Sequence, residues 1–233
     1  KSLKDSKANI DKISFYGNLV DHNFITTDPS VFLNQNKNIN NLHFMFIPVD
    51  KNIECFDVFN LKPRKDIFYA MSHGVNRATL KKGKNDSRIF FLNSLIKKIN
   101  GIKYDFYGFE NKEPIWGDDF YNALTNSKMG LNLSRGLATK HYSSNRIASL
   151  MGNGLLTFID KKTCFNDFFN KEEIVFYKNI DDLADKILYY KKNDKIRKKI
   201  AYNGKKKYFK LFNEKRISKY IVDSTFNNKT SLF

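Results

Sequence analysis

Residues 129–160 constrain the fold most, because they form one strand–loop–helix–strand pattern. The segment 129–133 (MGLNL) is short, apolar and bounded by turn residues, which predicts a buried strand. The run 155–159 predicts a second one. Between them lie apolar residues at helical spacing and two glycines that would end a helix: Ile147, Leu150, Met151, Gly152 and Gly154. Such a unit joins two parallel strands by a right-handed crossover.

The same alternation extends over most of the chain. Further strands are predicted at 66–71, 103–107 and 173–177, and further helices at 87–101, 118–127 and from 179 onward. Residues of N-cap type stand at the predicted helix starts: Ser87, Asp118 with Asp119, Ser143 with Ser144, and Asn179. This pattern predicts the α/β class, a Rossmann-like parallel sheet with helices on both faces. Ligands of such sheets bind at the carboxyl ends of the strands.

The two ends of the chain follow other patterns. Strands are predicted at 22–28 and 43–50 with a short helix at 29–33, and residues 62–64 resemble a linker. From Asp194 to about residue 226 we expect two helices, which separate near Asn203 and Gly204 because glycine often follows a helix end.

The formal net charge is +17, and much of it lies in the lysine-rich stretches 191–199 and 205–210. Solvated helix faces explain such stretches; contact with an anionic membrane surface or attraction of phosphorylated substrates are alternative explanations. No RNP, KH or helix-turn-helix pattern accompanies the lysines, so no nucleic-acid partner is expected.

Composition indicates a globular protein, with 41% hydrophobic residues and no apolar run near the roughly 18 residues that span a bilayer. No signal peptide opens the sequence. Cys55 and Cys164 lack a CxxC partner and are expected to be reduced thiols in a cytoplasmic protein, a disulfide being the alternative. His22, His43 and His141 lack partners at metal-ligand spacing, so no metal site is predicted.

Arg146 is the strongest candidate binding residue. It stands at a predicted helix start, where the helix dipole opposes a positive charge, so pairing with a phosphate explains it better than a surface position does. Three polar residues just before it would donate hydrogen bonds to the same phosphate or cap the helix: Ser143, Ser144 and Asn145.

Four candidates follow the strand at 66–71. Ser72 lies directly after the strand, Gly74 would let the backbone approach a ligand, and Arg77 would be a second phosphate contact. His73 would orient a sugar hydroxyl or transfer a proton, or else be a bystander in a loop.

The next strand ends supply the remaining candidates. Tyr107 would border a nucleobase or belong to the core, and Trp116 would stack on a base or, more simply, pack against the sheet. Arg135 would contact the sugar or phosphate, or be solvated in a turn. Its neighbours after the same strand are Asn132, Ser134 and Gly136.

Four segments, in order, resemble the C-terminal, donor-binding half of GT-B glycosyltransferases, and most closely the CgeB-like branch of the group 1 transferases: ALTNSKMGLNLSRG, NRIASLMGNGLLTFID, EEIVFYKNIDDLADKI and IRKKIAYNGKKKY. The likeness covers residues 65–222. It implies transfer of a sugar from a nucleotide-sugar to a glycan, lipid or protein acceptor, with no cofactor. It also implies that no metal is held by an Asp-x-Asp motif. Cytoplasmic location, with peripheral contact at an anionic membrane, fits this activity.

The resemblance further implies three regions. Residues 1–62 would be the tail of the N-terminal, acceptor-side domain with its linker, and 63–212 the nucleotide-sugar-binding domain. Residues 213–233 would be a C-terminal helix and tail that cross back. We expect most of the N-terminal domain to be absent and this chain to be inactive alone. The family often has Glu three residues after its counterpart of Arg146, where it binds the donor ribose. This chain has the uncharged Ser149 there.

Two other functions stay open. A sugar-nucleotide epimerase of the same architecture would need acid/base groups in the cleft, where His73 alone offers itself. The second open function is a non-catalytic nucleotide-binding domain. A receiver-type regulator of this kind would carry acidic residues at its strand ends, whereas this chain carries three arginines there. We expect these arginines to converge with the serine-lined helix tip on one pyrophosphate: Arg77, Arg135 and Arg146.

Overall fold

The computed structural model describes residues 15–33, 39, 41–72, 79–80 and 84–226. The candidates His73, Gly74 and Arg77 lie outside the described residues. The strands are β1 (Asn23–Ile25), β2 (Leu42–Phe44), β3 (Lys65–Ala70), β4 (Thr79–Leu80), β5 (Lys84–Asn85), β6 (Tyr104–Tyr107), β7 (Ser127–Asn132), β8 (Leu156–Asp160) and β9 (Val175–Tyr177). The helices are α1 (Ser30–Leu33), α2 (Ser87–Ile96), α3 (Gly117–Thr125), α4 (Arg146–Gly152), α5 (Ile180–Lys192), α6 (Asp194–Phe212) and α7 (Glu214–Thr225).

Five strands form one parallel sheet in the order β6-β3-β7-β8-β9. The predicted Rossmann-like α/β fold is therefore confirmed. The chain first adds β6 on one side of β3 and then adds β7, β8 and β9 on the other side. The winding direction thus reverses between β3 and β7. In open α/β sheets, a crevice for ligands forms at the carboxyl ends of the two strands where this reversal occurs.

Helices cover both faces of the sheet, because successive side chains of a strand point to opposite sides. Ile67 and Tyr69 of β3 belong to a core cluster with α2, α5 and α6. Phe68 and Ala70 belong to another with α3 and α4. The buried strands thus separate two apolar layers. None of the described helices combines the length and apolarity needed to cross a bilayer.

The N-terminal residues dock against the end of α6. The strands β1 and β2 pair in parallel with each other, apart from the main sheet. After them, the Phe46 ring stacks on Phe212 with centroids 3.7 Å apart, and the Tyr208 hydroxyl donates to the carbonyl oxygen of Ile47 at 2.8 Å. The Val49 amide donates to the Phe212 carbonyl at 2.9 Å. Contacts between residues far apart in sequence thus join the N-terminal part of the chain to the end of α6.

The predicted break near Asn203 and Gly204 is wrong, since α6 runs unbroken to Phe212. The helix ends one residue before Asn213, whose side chain caps α7. Gly204 is buried, and a Cβ there would overlap the backbone carbonyl oxygen of Glu173. This glycine therefore allows close packing and does not end a helix.

Two N-caps illustrate the local sequence signals. Asn179 caps α5 as predicted, accepting from the Asp182 amide at 2.9 Å. At α2 the cap is Asp86 and not Ser87, with the Asp86 carboxylate accepting from the Arg88 amide at 3.0 Å. The predicted end of this helix at residue 101 is also late, because α2 ends at Ile96.

Candidate functional site

A cavity of about 580 Å³ opens at the carboxyl end of β3, beside β7. Its size is within the range of small-molecule sites, about 300–1,000 Å³. The wall comes from the end of β3, the start of α3 and the residues before α4. Its lining comprises Thr26, Ala70, Met71, Ser72, Ile115, Trp116, Gly117, Phe120, Tyr121, Tyr142, Ser143, Ser144, Asn145, Arg146 and Ser149.

Arg146 links the two strand ends at the point where the winding reverses. Its Nε donates to the carbonyl oxygen of Ala70 at 2.8 Å, and its Nη1 donates to the carbonyl oxygen of Leu133 at 3.2 Å. The same Nη1 donates to the Ser144 hydroxyl at 3.0 Å. The guanidinium lies over the Tyr69 ring, 4.6 Å from its centroid, in a cation–π contact. These contacts fix the charge at the cavity wall.

Arg146 also supplies positive charge to the cavity wall. Of the described residues that line the cavity, Arg146 alone is charged. Burial lowers the pKa of Arg146, and the nearby Arg88 guanidinium lowers it further. Arginine still stays protonated at neutral pH. A partly buried cation, with no carboxylate among the described residues of the wall, favours an anionic ligand.

Asn132 binds the loop before α4 through two hydrogen bonds. Its Nδ2 donates to the Ser143 hydroxyl at 2.7 Å, and the Ser144 hydroxyl donates to its Oδ1 at 3.3 Å. The N-cap of α4 is Asn145, which makes no side-chain capping bond. Capping by the two serines, one expectation from the sequence, is therefore wrong. Asn132 is buried and orients the serines beside Arg146.

Other candidates after β7 lie away from the main cavity. Ser134 and Gly136, with Asn132, line a second cavity of about 40 Å³. The Arg135 guanidinium lies 3.6 Å from the Asp86 carboxylate, which also binds Arg88. Contrary to expectation, Arg135 does not join Arg146 in the wall of the main cavity.

Trp116 lies at the rim of the main cavity with 64% of its surface exposed. Packing against the sheet, the simpler expectation, is therefore wrong. The residue occupies the N-cap position of α3, which places Asp118 and Asp119 in the first turn and not at the cap. Carboxylates there interact favourably with the helix dipole.

Tyr107 does not line the main cavity. Its hydroxyl donates to the Asp105 carboxylate at 3.2 Å, and Lys112 Nζ lies 4.7 Å from the ring centroid. Burial and the Asp105 charge raise the pKa of Tyr107 to about 12. The tyrosine thus belongs to a local cluster at the sheet edge.

Ser149, a candidate from the sequence, lines the cavity, and its hydroxyl is hydrogen-bonded to Tyr121. Two further lining residues, Tyr121 and Thr26, were missed from the sequence. Tyr121 follows the Trp116 loop, so its place after a strand end was a usable signal. Thr26 had no such signal, because it reaches the cavity through the docking of Thr27 onto the Lys140 carbonyl at 2.9 Å.

The histidines acquire partners that their spacing does not reveal. His141 lies between two carboxylates, with Nδ1 3.2 Å from Asp28 and Nε2 2.8 Å from Asp167. His22 Nδ1 lies 3.0 Å from His43 Nε2. Within the described part of the chain, no three metal-ligating side chains come together in a group that would hold an ion.

The fold and the cavity define the class of this protein. A Rossmann-like sheet is suited to a nucleotide-type ligand when the cavity at its reversal point is lined by an arginine and, among the described residues, by no carboxylate. Residues 87–223 match the model of the glycosyl transferase-like family, and the chain belongs to that family. Among curated protein sequences, none matches this chain.

Solved structures show the same fold at low sequence identity. S. aureus TarM is 15% identical with a TM-score of 0.69 over 97% of this chain and 48% of TarM. Anabaena HepE with UDP and glucose is 10% identical with a TM-score of 0.66 over 94% of this chain and 67% of HepE. Pneumococcal O-GlcNAc transferase GtfA with UDP and GlcNAc is 11% identical with a TM-score of 0.59 over 95% of this chain and 48% of GtfA. The chain thus spans about half the length of TarM and GtfA.

Proposed function

We propose that this chain is the donor-binding half of a metal-independent glycosyltransferase that moves a sugar from a nucleotide-sugar to a glycan, lipid or protein acceptor. The observation that carries the proposal is the Arg146 cation, which shares the cavity at the winding reversal of a glycosyl transferase-like chain with no carboxylate among the described lining residues. The family match does not favour the epimerase or the non-catalytic alternative.

In this proposal the donor diphosphate pairs with the Arg146 guanidinium and accepts hydrogen bonds from the backbone amides of Ser144 and Asn145. Fixed positive charge there stabilises the nucleoside diphosphate as it leaves. The exposed Trp116 ring stacks on the base, and Ser149 hydrogen-bonds the ribose. Ser72 contacts the donor from the cavity wall. Three residues outside the described part of the chain are further proposed donor contacts: His73, Gly74 and Arg77.

The ligands of similar structures support UDP-sugars as the first donors to test. HepE was solved with UDP and glucose, and GtfA with UDP and GlcNAc. A TarM variant was solved with fondaparinux, α-GlcNAc-glycerol and UDP. These ligands belong to those proteins, and for this chain they suggest a nucleotide-sugar donor and a glycan acceptor.

We further propose the CgeB-like branch and the three regions 1–62, 63–212 and 213–233. The acceptor and any general base would then be bound mainly by the N-terminal domain. The coverage of about half of TarM and GtfA supports this division. Packing of the Tyr220 ring of α7 edge-on against Phe24, with centroids 6.2 Å apart, supports a C-terminal helix that crosses back. We also propose that the protein acts in the cytoplasm.

Donor binding is testable on this chain without the other domain. Calorimetric titration with UDP-, GDP-, CMP- and dTDP-sugars should identify a donor, and Trp116→Ala should weaken its binding about tenfold through lost stacking. Phe90→Ala, which removes an equally exposed aromatic ring on α2, is the matched control. Binding of none of these nucleotide-sugars would refute the proposal. Conversion of the bound donor to an epimer without acceptor would assign the epimerase instead.

A further inference from the structure

The outer face of α6 carries a row of lysines, here termed the lysine stripe. It consists of four exposed side chains: Lys195, Lys199, Lys206 and Lys210. Their spacing of four, seven and four residues returns to the same side of a helix, since 3.6 residues make one turn. The stripe runs along about 22 Å of helix, from the 1.5 Å rise per residue.

The stripe lies opposite the face by which α6 packs into the protein. Its buried side chains, among them Ile200 and Tyr208, anchor the helix in two apolar clusters, and the buried Gly204 lets the backbone approach closely. Because these residues hold α6 against the sheet, the four lysines extend from the side of the helix that faces away from the body of the protein. The helix backbone thus gives the stripe a straight line of attachment points.

The lysines beside the stripe are neutralised, whereas the stripe is not. Lys205 pairs with Asp57 at 2.9 Å, and Lys207 Nζ lies 4.0 Å from Glu173. Lys198 pairs with Asp194 at 3.5 Å. Within the described residues, no carboxylate lies within ion-pair distance of the four stripe lysines. The positive charge of α6 is therefore concentrated on its outermost line.

Two exposed apolar residues lie on or beside the stripe. The Tyr202 side chain is 49% exposed between Lys199 and Lys206, and Ile196 is 44% exposed next to Lys195. The Tyr202 ring also packs edge-on against Phe59, with centroids 5.5 Å apart. A half-exposed tyrosine suits the boundary between lipid headgroups and acyl chains. Lysine stems also lie along such a boundary with their charges at the phosphates.

We propose that the lysine stripe binds an anionic lipid surface and holds this protein peripherally at a membrane. A straight row of cations on a convex helix face can contact a flat surface along its whole length. Reading nucleic acid calls instead for a groove-fitting element or stacking platform, and the stripe offers neither. This inference stands on α6 alone and does not depend on which donor the cavity binds.

Each lysine near an anionic membrane strengthens binding about fivefold, so loss of all four should weaken it by two orders of magnitude or more. The experiment compares sedimentation of the chain with vesicles of phosphatidylcholine alone and of phosphatidylcholine with phosphatidylserine. The test variant carries Lys→Gln at 195, 199, 206 and 210. We expect the parent chain to bind the anionic vesicles only, with strong weakening by salt.

The control variant carries Lys→Gln at four exposed lysines scattered outside α6: Lys97, Lys103, Lys161 and Lys171. It lowers the net charge equally, so it should retain binding within a few-fold because distant charges are screened. Equal losses in the two variants, absence of binding by the parent chain, or preference for a single-stranded oligonucleotide over anionic vesicles would overturn the proposal. Donor titration of the stripe variant should be unchanged, which separates this test from that of the proposed function.

Discussion

Replacing Arg146 by alanine should destabilise the protein and not only weaken its ligand binding. The side chain donates to the Ala70 and Leu133 carbonyls and to Ser144, and it covers the Tyr69 ring. Each hydrogen bond contributes about 0.5–1.5 kcal/mol and the cation–π contact about 0.5–2 kcal/mol. Removing the partly buried charge also removes the free-energy cost of its desolvation, which offsets part of this loss. We expect the free energy of unfolding to fall by about 2–3 kcal/mol.

Urea unfolding measures this loss as a lower midpoint at unchanged slope. Arg64→Ala is the matched control, because Arg64 is exposed and its side chain should be worth less than about 0.5 kcal/mol. The stability of Arg146→Lys should lie between those of the two alanine variants. An ammonium group keeps the charge but cannot reproduce the several fixed N–H donors of the planar guanidinium. An Arg146→Ala protein as stable as the Arg64→Ala control would refute the structural role of this arginine.

Donor affinity of the Arg146→Ala protein, measured at a temperature where it stays folded, should fall by about 2 kcal/mol, or some thirtyfold, from the lost phosphate pair. Affinity equal to that of the parent protein would contradict the proposed diphosphate position, whatever happens to stability. The two measurements thus test the two roles of Arg146 separately.

Three further changes test the packing and the electrostatics. Gly204→Ala should lower the free energy of unfolding by about 2–3 kcal/mol, because the Glu173 carbonyl must move; urea unfolding checks this, and an unchanged midpoint would contradict the close contact. Burial would raise the pKa of Asp28, but hydrogen bonds from Ser30 and Lys140 lower it to about 2. The stabilisation from the Asp28 carboxylate is therefore nearly complete above pH 4 and is lost as the pH falls toward 2. Asp28→Asn should reduce the pH dependence of the free energy of unfolding in that range. Burial and the neighbouring His22 lower the pKa of His43, so the protein should lose stability as the pH falls below 6.5. Thermal unfolding at pH 7.5 and 5.5 should show a smaller difference for His43→Phe than for the parent protein.

The sheet was predictable because each of its strands is a local apolar run. The prediction at 66–71 corresponds to β3 at 65–70, and that at 155–159 to β8 at 156–160. Parallel pairing follows from the intervening helices, and the rule that ligands bind at strand carboxyl ends located the cavity. These inferences need only the period of the sequence and the handedness of the crossovers.

Two expectations differ from the structure because the residue concerned has a partner far away in the sequence. Gly204 resembles a helix end in sequence, but its actual constraint is the Glu173 carbonyl opposite it. Arg135 resembles a ligand contact, yet the Asp86 carboxylate 49 positions earlier in the chain draws its guanidinium toward α2. Neither partner can be identified from spacing, because both contacts exist only after the sheet has formed.

Arg146 shows why its structural and binding roles need not compete. Parallel strands that end at a crevice leave carbonyl oxygens directed into it, and Ala70 and Leu133 do so on either side of the winding reversal. By itself such a wall of acceptors would repel a phosphate. One guanidinium satisfies both carbonyls, and its full positive charge exceeds their partial charges, so the wall becomes attractive to anions. The same side chain can therefore stabilise the strand ends and prepare the cavity for a pyrophosphate, and this is why stability and affinity should fall together when it is removed.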